Sequence, residues 1–374
     1  MILSDPFCCA LPRYLVNAGI QLIDERGMKM TTTTKNTQCC GPSTQPTHVF
    51  EPSQSGFTLT WAVTFLCCLV ISGLATSAIA QQKTLNEALA EHPDWMQIPG
   101  ELIRPDCVHA IPKGARVELG NDGYITGDVT LNGEFFAHYD PCPERAIVTR
   151  PQGHAQDFAR VPGTGNGWVE ADQWNVPLSS SDNIDYVAGN WRVPSYPAVN
   201  GALIYLFNGI EPSTQDWILQ PVLQYGNNGA FGGNYWGIAS WLVSSTQAYV
   251  SPFETVNPGD LLIGYTRLTS ISGSTLNWTI LAQDQTSGAY SSIKVWTTGL
   301  HLTWAYRGVL EAYHVTSCSN FPSNRVAVFS NSVIDHDFPY YRAVSPQSWS
   351  GAILNYGGPS CGFAVGAVSG TLDF

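Results

Sequence analysis

From residue 166 to the C-terminus the chain is a succession of short segments with alternating apolar positions, broken by Gly, Pro, Asn and Asp. No helical period of any length interrupts it. Segments with this pattern fall at 167–174, 184–192, 202–208, 217–224, 235–244, 248–249, 261–268, 276–284, 292–297, 308–315 and 325–329. Many short strands with turn punctuation and no long helix predict an all-β fold of two packed sheets. Composition agrees. Charged residues are 12% of the chain, about half the usual share, while Gly (35), Pro (24), Trp (12) and Tyr (16) are abundant. The net charge of −12 argues against nucleic acid and anionic membrane surfaces as partners. So few charges also favour function at low pH, where protonated carboxylates would leave only modest positive self-repulsion.

The stretch 202–224, ALIYLFNGIEPSTQDWILQPVLQ, organises the rest. Alternation puts Leu203, Tyr205 and Phe207 on one strand face and Ile204 and Leu206 on the other. Asn208-Gly209 reads as a turn. In the second strand Ile218, Gln220 and Val222 share a face opposite Leu219 and Leu223. Gln220 is thus an amide in the middle of an apolar face, a hydrogen-bonded core residue or a group projecting into a cleft. Pro221 cannot donate to a ladder, so this strand is expected at an edge or with a bulge. Glu311, in GVLEAYHV, shares a face with Val309, Tyr313 and Val315. Carboxylates are seldom buried there unless paired, and burial disfavours their charged form. A carboxylate of that kind can activate water as a general base, and an amide N–H can hold an oxyanion. The bland readings are a salt-bridged Glu311 and a satisfied core amide at Gln220.

Ahead of this region, 57–75 is a nearly uncharged apolar run followed by Ala78-Ile79-Ala80, a small-x-small cleavage pattern. It reads as a signal peptide within a leader, 1–80, so the protein is expected to be secreted and free of the membrane after cleavage. An uncleaved anchor is the competing reading. Four cysteines follow the leader: Cys107, Cys142, Cys318 and Cys361. They suggest two disulfides, with Cys107–Cys142 and Cys318–Cys361 favoured because each pair lies within one segment. Asn277-Trp278-Thr279 is a glycosylation sequon. Residues 81–150 read as a small β-rich unit, either a propeptide or a permanent subdomain, and 151–165 as an exposed linker and plausible processing site. The one helical signal is at 84–91.

Other chemistries are weaker. A Ser-His-Asp set drawn from His301, His314 and Asp284 lacks a Gly-x-Ser-x-Gly elbow. Asp335-His336-Asp337 places neighbours on opposite strand faces, and no metal or cofactor is expected. A glycosidase pair would need Glu211 or Asp216 beside Glu311. Trp217, Tyr235, Trp236 and Trp241 are core aromatics or the lining of a sugar or peptide cleft.

Taken in order, several segments resemble the glutamic peptidases, or eqolisins. Leu206-Phe207-Asn208-Gly209-Ile210-Glu211 leading into Ile218-Leu219-Gln220 resembles that family's aromatic-x-Gly-Ile-Asp segment and Ile-Leu-Gln. Trp191 to Ser195, Trp236 to Trp241, Pro258-Gly259-Asp260 and Val309-Leu310-Glu311 resemble further family segments, over 166–374. The resemblance implies a two-sheet antiparallel sandwich of the concanavalin A type, a jelly roll. It also implies a polypeptide substrate, with Glu311 as general base and acid and Gln220 as oxyanion stabiliser. Phe207, Glu211, Trp236 and Trp241 would contact substrate, and a secreted, acid-acting monomer made with a propeptide would need no cofactor. The family's Asp is Glu211 here, its acid in the Trp-rich strand is Ser240, and another acid is replaced near Arg307. A lectin-like sandwich that binds carbohydrate without catalysis is the alternative.

Overall fold

The computed structural model describes residues 85–374 apart from 121–124, 150–166, 176–182, 300–301, 337, 344–348, 355–358, 360, 367–369 and 374. The leader, the 151–165 linker, His301 and Asp337 lie outside the described residues. No helix among those described is long and apolar enough to cross a membrane. One helix, α1 (Leu85–Glu91), precedes an otherwise β chain.

Two sheets of nine strands form the body. The first runs β22 (Ser350–Ile353), β8 (Gly167–Asn175), β18 (Leu302–Tyr313), β10 (Leu203–Pro212) and β11 (Trp217–Asn227). It continues through β12 (Gly232–Ser244), β13 (Gln247–Val250) and β3 (Val108–Ala110), with β14 (Glu254–Val256) alongside β12. The second runs β21 (Arg342–Ala343), β20 (Ser330–His336), β9 (Tyr186–Arg192), β15 (Leu261–Ser272) and β16 (Thr275–Asp284). It ends with β17 (Tyr290–Thr298), β4 (Arg116–Leu119), β5 (Ile125–Leu131) and β6 (Glu134–His138). Small three-stranded sheets pair β2 (Glu101–Ile103) with β1 (Met96–Ile98) and β7 (Ile147–Val148), and β24 (Thr371–Asp373) with β19 (Val326–Val328) and β23 (Ala364–Gly366).

The two large sheets pack face to face as a sandwich. Leu219, Leu242, Trp278, Ile280 and Ile293 meet at one end of the interface. Ile204, Leu206, Leu223, Trp191, Leu262 and Ala282 meet at the other. The sequence shows which sheet is covered on both faces. Every residue of β10 is buried, as is all of β11 before Asn227, whereas β15 alternates over its first eight residues between buried and more exposed positions. Continuous apolar runs belong to strands covered on both sides, alternating ones to strands with a wet face.

What covers the outer face of the first sheet is the N-terminal region. Met96, Ile98, Ile103, Cys107 and Ala146 pack there against Tyr205, Phe207, Trp241 and Tyr313. Part of this N-terminal region is built into the large sheets. β3 joins β13, and β4 joins β17, both in parallel. Ile111, Val117, Leu119, Ile125 and Val129 then enter the same core as Leu219 and Trp278. Two parallel pairings correct the all-antiparallel expectation. A strand arriving from far away in sequence is not held to the reversal a hairpin imposes, and both pairings cover a sheet edge that would otherwise be open.

Both disulfides form as expected. Cys107 and Cys142 have Cα atoms 5.9 Å apart, and Cys318 and Cys361 5.4 Å apart, inside the usual range.

Candidate active site

Pro221 does not sit on an edge. β11 lies between β10 and β12 at the centre of the first sheet, and Pro221 pairs in register with Ser240. The irregularity lies two strands away. Pairing of β10 with β11 lapses between Phe207–Val222 and Ile210–Leu219 without a change of register, and pairing with β18 shifts between Phe207–Val309 and Gly209–Tyr306, where β18 carries the extra residue. Asn208-Gly209, read from sequence as a turn, runs on within β10, and the reversal comes after Pro212. The lapse lies where Pro221 has no N–H to give. Asn208 turns its amide inward to the Gly264 carbonyl at 2.9 Å. A Cβ at Gly209 would lie 3.1 Å from the Leu219 carbonyl oxygen, closer than an ordinary contact.

Gln220 and Glu311 are both fully buried and both point to the outer face of the first sheet, among Ile218, Val222, Val309 and Tyr313. Alternation had put Val315 on that face too. It lies in the core on the other side, because His314 takes a left-handed φ of 58° and ends the alternation at Tyr313.

By backbone register Glu311 is level with Tyr205, and Tyr205 with Gln224, so Gln220 stands further along β11. The two side chains nonetheless meet on one group. The Gln220 Nε2 donates to the Pro99 carbonyl at 2.8 Å. The N–H of Gly100 donates to the Glu311 Oε2 at 2.8 Å. Pro99 O and Gly100 N belong to a single peptide unit, so its bond lengths hold the amide and carboxylate within about 8 Å of each other. Thr149 Oγ1 also donates to the Glu311 Oε1 at 3.0 Å, and the Tyr313 hydroxyl donates to the same oxygen. Burial, then the neighbouring Glu311, holds Tyr313 well above the usual phenol range, so it remains a neutral donor. Tyr205, pushed up by burial as well, donates to the Gln97 carbonyl at 2.6 Å.

The amide of Gln220 is half satisfied. Its Oε1 is buried without a hydrogen-bond partner among the described residues. Because Pro99 O can only accept, the NH2 must face it and the orphan must be the oxygen. An unmet buried acceptor costs roughly 1–3 kcal/mol.

The other expected site residues divide. Phe207 and Trp241 lie on this face. Glu211 is buried at the far end of β10, where its Oε1 accepts from the Tyr306 hydroxyl and from Gln215 Nε2, the latter at 2.9 Å. Trp236 is not brought to the site. It stands five residues before Trp241, which alternation assigns to the opposite face, and it packs in the inter-sheet core with its Nε1 3.4 Å from the Ser195 carbonyl. Of the candidate second acids, Asp216 is exposed and bonds Thr214. Glu211 leans toward Tyr306, and six residues of β10, about 20 Å of strand, separate its backbone level from that of Glu311. A glycosidase pair would be roughly 5–10 Å apart. Near Arg307 the replaced acid has become a cation turned the other way, with its Nε 2.6 Å from Asp172. Ser240 supports the core behind the site, donating to the Ser291 carbonyl at 2.9 Å. Sequence reasoning missed Tyr313, Tyr205 and Thr149. Tyr313 had a signal, two residues after Glu311 on the same face; Thr149, 162 residues from Glu311, had none.

A scan of known protein families finds none that matches the chain. No curated protein matches it either. Among solved structures, Scytalido-glutamic peptidase with a peptide-based transition-state analogue is similar at TM-score 0.37 and 17% identity, over 55% of this chain and 96% of that one. SCP-B, a member of the eqolisin family of peptidases in complex with the tripeptide Ala-Ile-His, gives the same four values. The CBM2 module of an evolved Dit from Lactobacillus casei BL23 phage J-1 is similar at TM-score 0.24 and 11% identity, over 38% of this chain and 67% of that one.

Proposed function

We propose that the chain is an endopeptidase of the glutamic type, in which Glu311 and Gln220 act on a polypeptide. One observation carries this reading: a peptide group of the protein itself lies between the two side chains, its carbonyl on the amide and its N–H on the carboxylate. Those are the contacts that hydrolysis needs. Glu311 takes a proton from water as the water oxygen bonds to the carbonyl carbon. The Gln220 N–H stabilises the oxyanion that forms. Glu311 then gives the proton to the leaving nitrogen, and the C–N bond breaks. Tyr313 orients the carboxylate. Secretion, action at acid pH, a monomeric state and glycosylation at Asn277 are part of the same proposal. The side chain of Asn277 is partly exposed and bonds Ser270 Oγ at 2.8 Å.

The test is hydrolysis of an unfolded protein in acid. The full chain is used, since β3 to β6 belong to the large sheets. Loss of either group is expected to lower the rate by roughly 100-fold or more. Hydrolysis that persists undiminished in Glu311→Gln or Gln220→Ala ends the reading.

A second reading rests on a separate surface. A polar groove on the outer face of the second sheet is lined by Arg116, Asn277, Thr279, Lys294 and Trp296. The Arg116 guanidinium lies 3.5 Å from the Trp296 ring centroid. Aromatic and hydrogen-bonding groups of this kind suit carbohydrate. Polysaccharide pull-down should then weaken about tenfold in Trp296→Ala while Glu311→Gln leaves it unchanged. Equal retention by wild type and Trp296→Ala excludes the groove.

A further inference from the structure

The dyad has an occupant. β1 and β2 pair Met96 with Ile103 and Ile98 with Glu101, leaving Pro99 and Gly100 as a two-residue loop. Gly100 has a φ of 89°, which together with the preceding proline marks a type II turn. The central peptide of such a turn projects its carbonyl and N–H away from the hairpin. Here those two groups are the ones held by Gln220 and Glu311.

We propose that the β1–β2 hairpin is a tethered inhibitor of the site, and that it opens without the rest of the N-terminal region leaving. This rests on the peptidase reading above. A substrate strand enters a cleft extended and makes contacts along its length. The hairpin instead presents its tip, and one peptide group alone meets the dyad before the chain turns away. Glu311 accepts on Oε2 from Gly100 and on Oε1 from Thr149 and Tyr313. The oxygen that would hold the attacking water is taken up by the N–H of the inhibitor. The bound peptide is therefore held rather than cut.

The anchoring is uneven. The hairpin belongs to a small sheet with β7, packs Met96, Ile98 and Ile103 on the cleft, and hydrogen-bonds it through Gln97, Pro99, Gly100 and Thr149. Residues beyond it are built into the sandwich by β3 on β13, β4 on β17 and the Cys107–Cys142 bridge. A cut in the chain after residue 149 would not release β3 to β6. Access to the dyad requires only that the hairpin lift.

Two variants of the full chain test this by amide exchange and peptide hydrolysis together. Gly100→Pro removes the N–H donor and cannot hold a positive φ. Thr149→Val is the milder change, in case the first fails to fold. Both are expected to speed exchange over 96–103, to leave β3 and β4 protected, and to raise hydrolysis about tenfold or more, as expected when the competent state is a minor one. The gain should vanish when Glu311→Gln is added. If the wild type already hydrolyses as fast as the opened variants, in a Glu311-dependent way, the inhibitor is refuted and the peptidase stands. If 96–103 opens and no form hydrolyses, the peptidase reading fails and this one with it. Loss of protection in β3 and β4 along with the hairpin refutes opening in place. Unchanged exchange and rate in Thr149→Val refutes anchoring through Glu311.

Discussion

Lowering the pH from 7 to about 4.5 is expected to stabilise the fold through Glu170 by about 3 kcal/mol. Glu170 is on β8, paired with Leu310 on one side and Ile353 on the other, and is fully buried. Burial pushes its pKa up to about 9, the backbone at Ala364 only partly opposing this and Asp373 adding to it. The folded state thus keeps a proton that the unfolded chain gives up near its ordinary value of 4.5. Stability from this group is complete below 4.5 and drains away as the pH rises through about 9. Asp172, raised to about 6 by burial against the pull of Arg307, acts in the same direction between 3.8 and 6. His109, lowered to about 4 by burial, opposes them, because the unfolded chain binds its proton first. Urea midpoints of wild type and Glu170→Gln, compared across pH, isolate the Glu170 share. Gln keeps the shape and never ionises, so the variant should lose most of the acid-side gain. Parallel pH profiles for the two proteins would rule this account out.

Arg307→Met is expected to cost about 3–5 kcal/mol at neutral pH, the usual result of stranding one partner of a buried ion pair. The Arg307 Nε lies 2.6 Å from the Asp172 Oδ2, and its Nη2 contacts the same oxygen. Its guanidinium also lies 4.9 Å from the Trp349 ring centroid. Without the cation, Asp172 either stays charged in an apolar place or takes up a proton. Arg307 is what holds the raised Asp172 pKa down to about 6, so without it protonation becomes easier still and the penalty should shrink on acidification. Arg307→Met combined with Asp172→Asn removes both charges and should recover most of the stability, as paired removal commonly does. Denaturant unfolding at pH 7.5 and 4.5 reads all three proteins. A loss under about 1 kcal/mol, or a double variant no better than the single, would show that the pair contributes little.

Much of the fold was legible in the residues. Period-two alternation assigned Tyr205, Phe207, Gln220 and Val222 to one face because a strand has only two. Sequence spacing paired the cysteines because short connections bring their Cα atoms within reach. Gln220 and Glu311 stood out for the same local reason, as polar groups on otherwise apolar faces. What alternation could not supply was context across the chain. The resemblance set Trp236 beside Trp241, although five positions invert the face. Pro221, expected at an edge or a bulge, sits in a central strand, where the pairing of β10 with β11 lapses beside it. The joining of residues 105–146 to both sheets, and the Pro99-Gly100 turn between the amide and the carboxylate, depend on contacts between positions 121 and 211 residues apart. Such contacts form only once the sandwich has closed. The sequence determined which polar side chains stand on apolar strand faces; tertiary structure alone decided that a loop of the same chain lies upon Gln220 and Glu311.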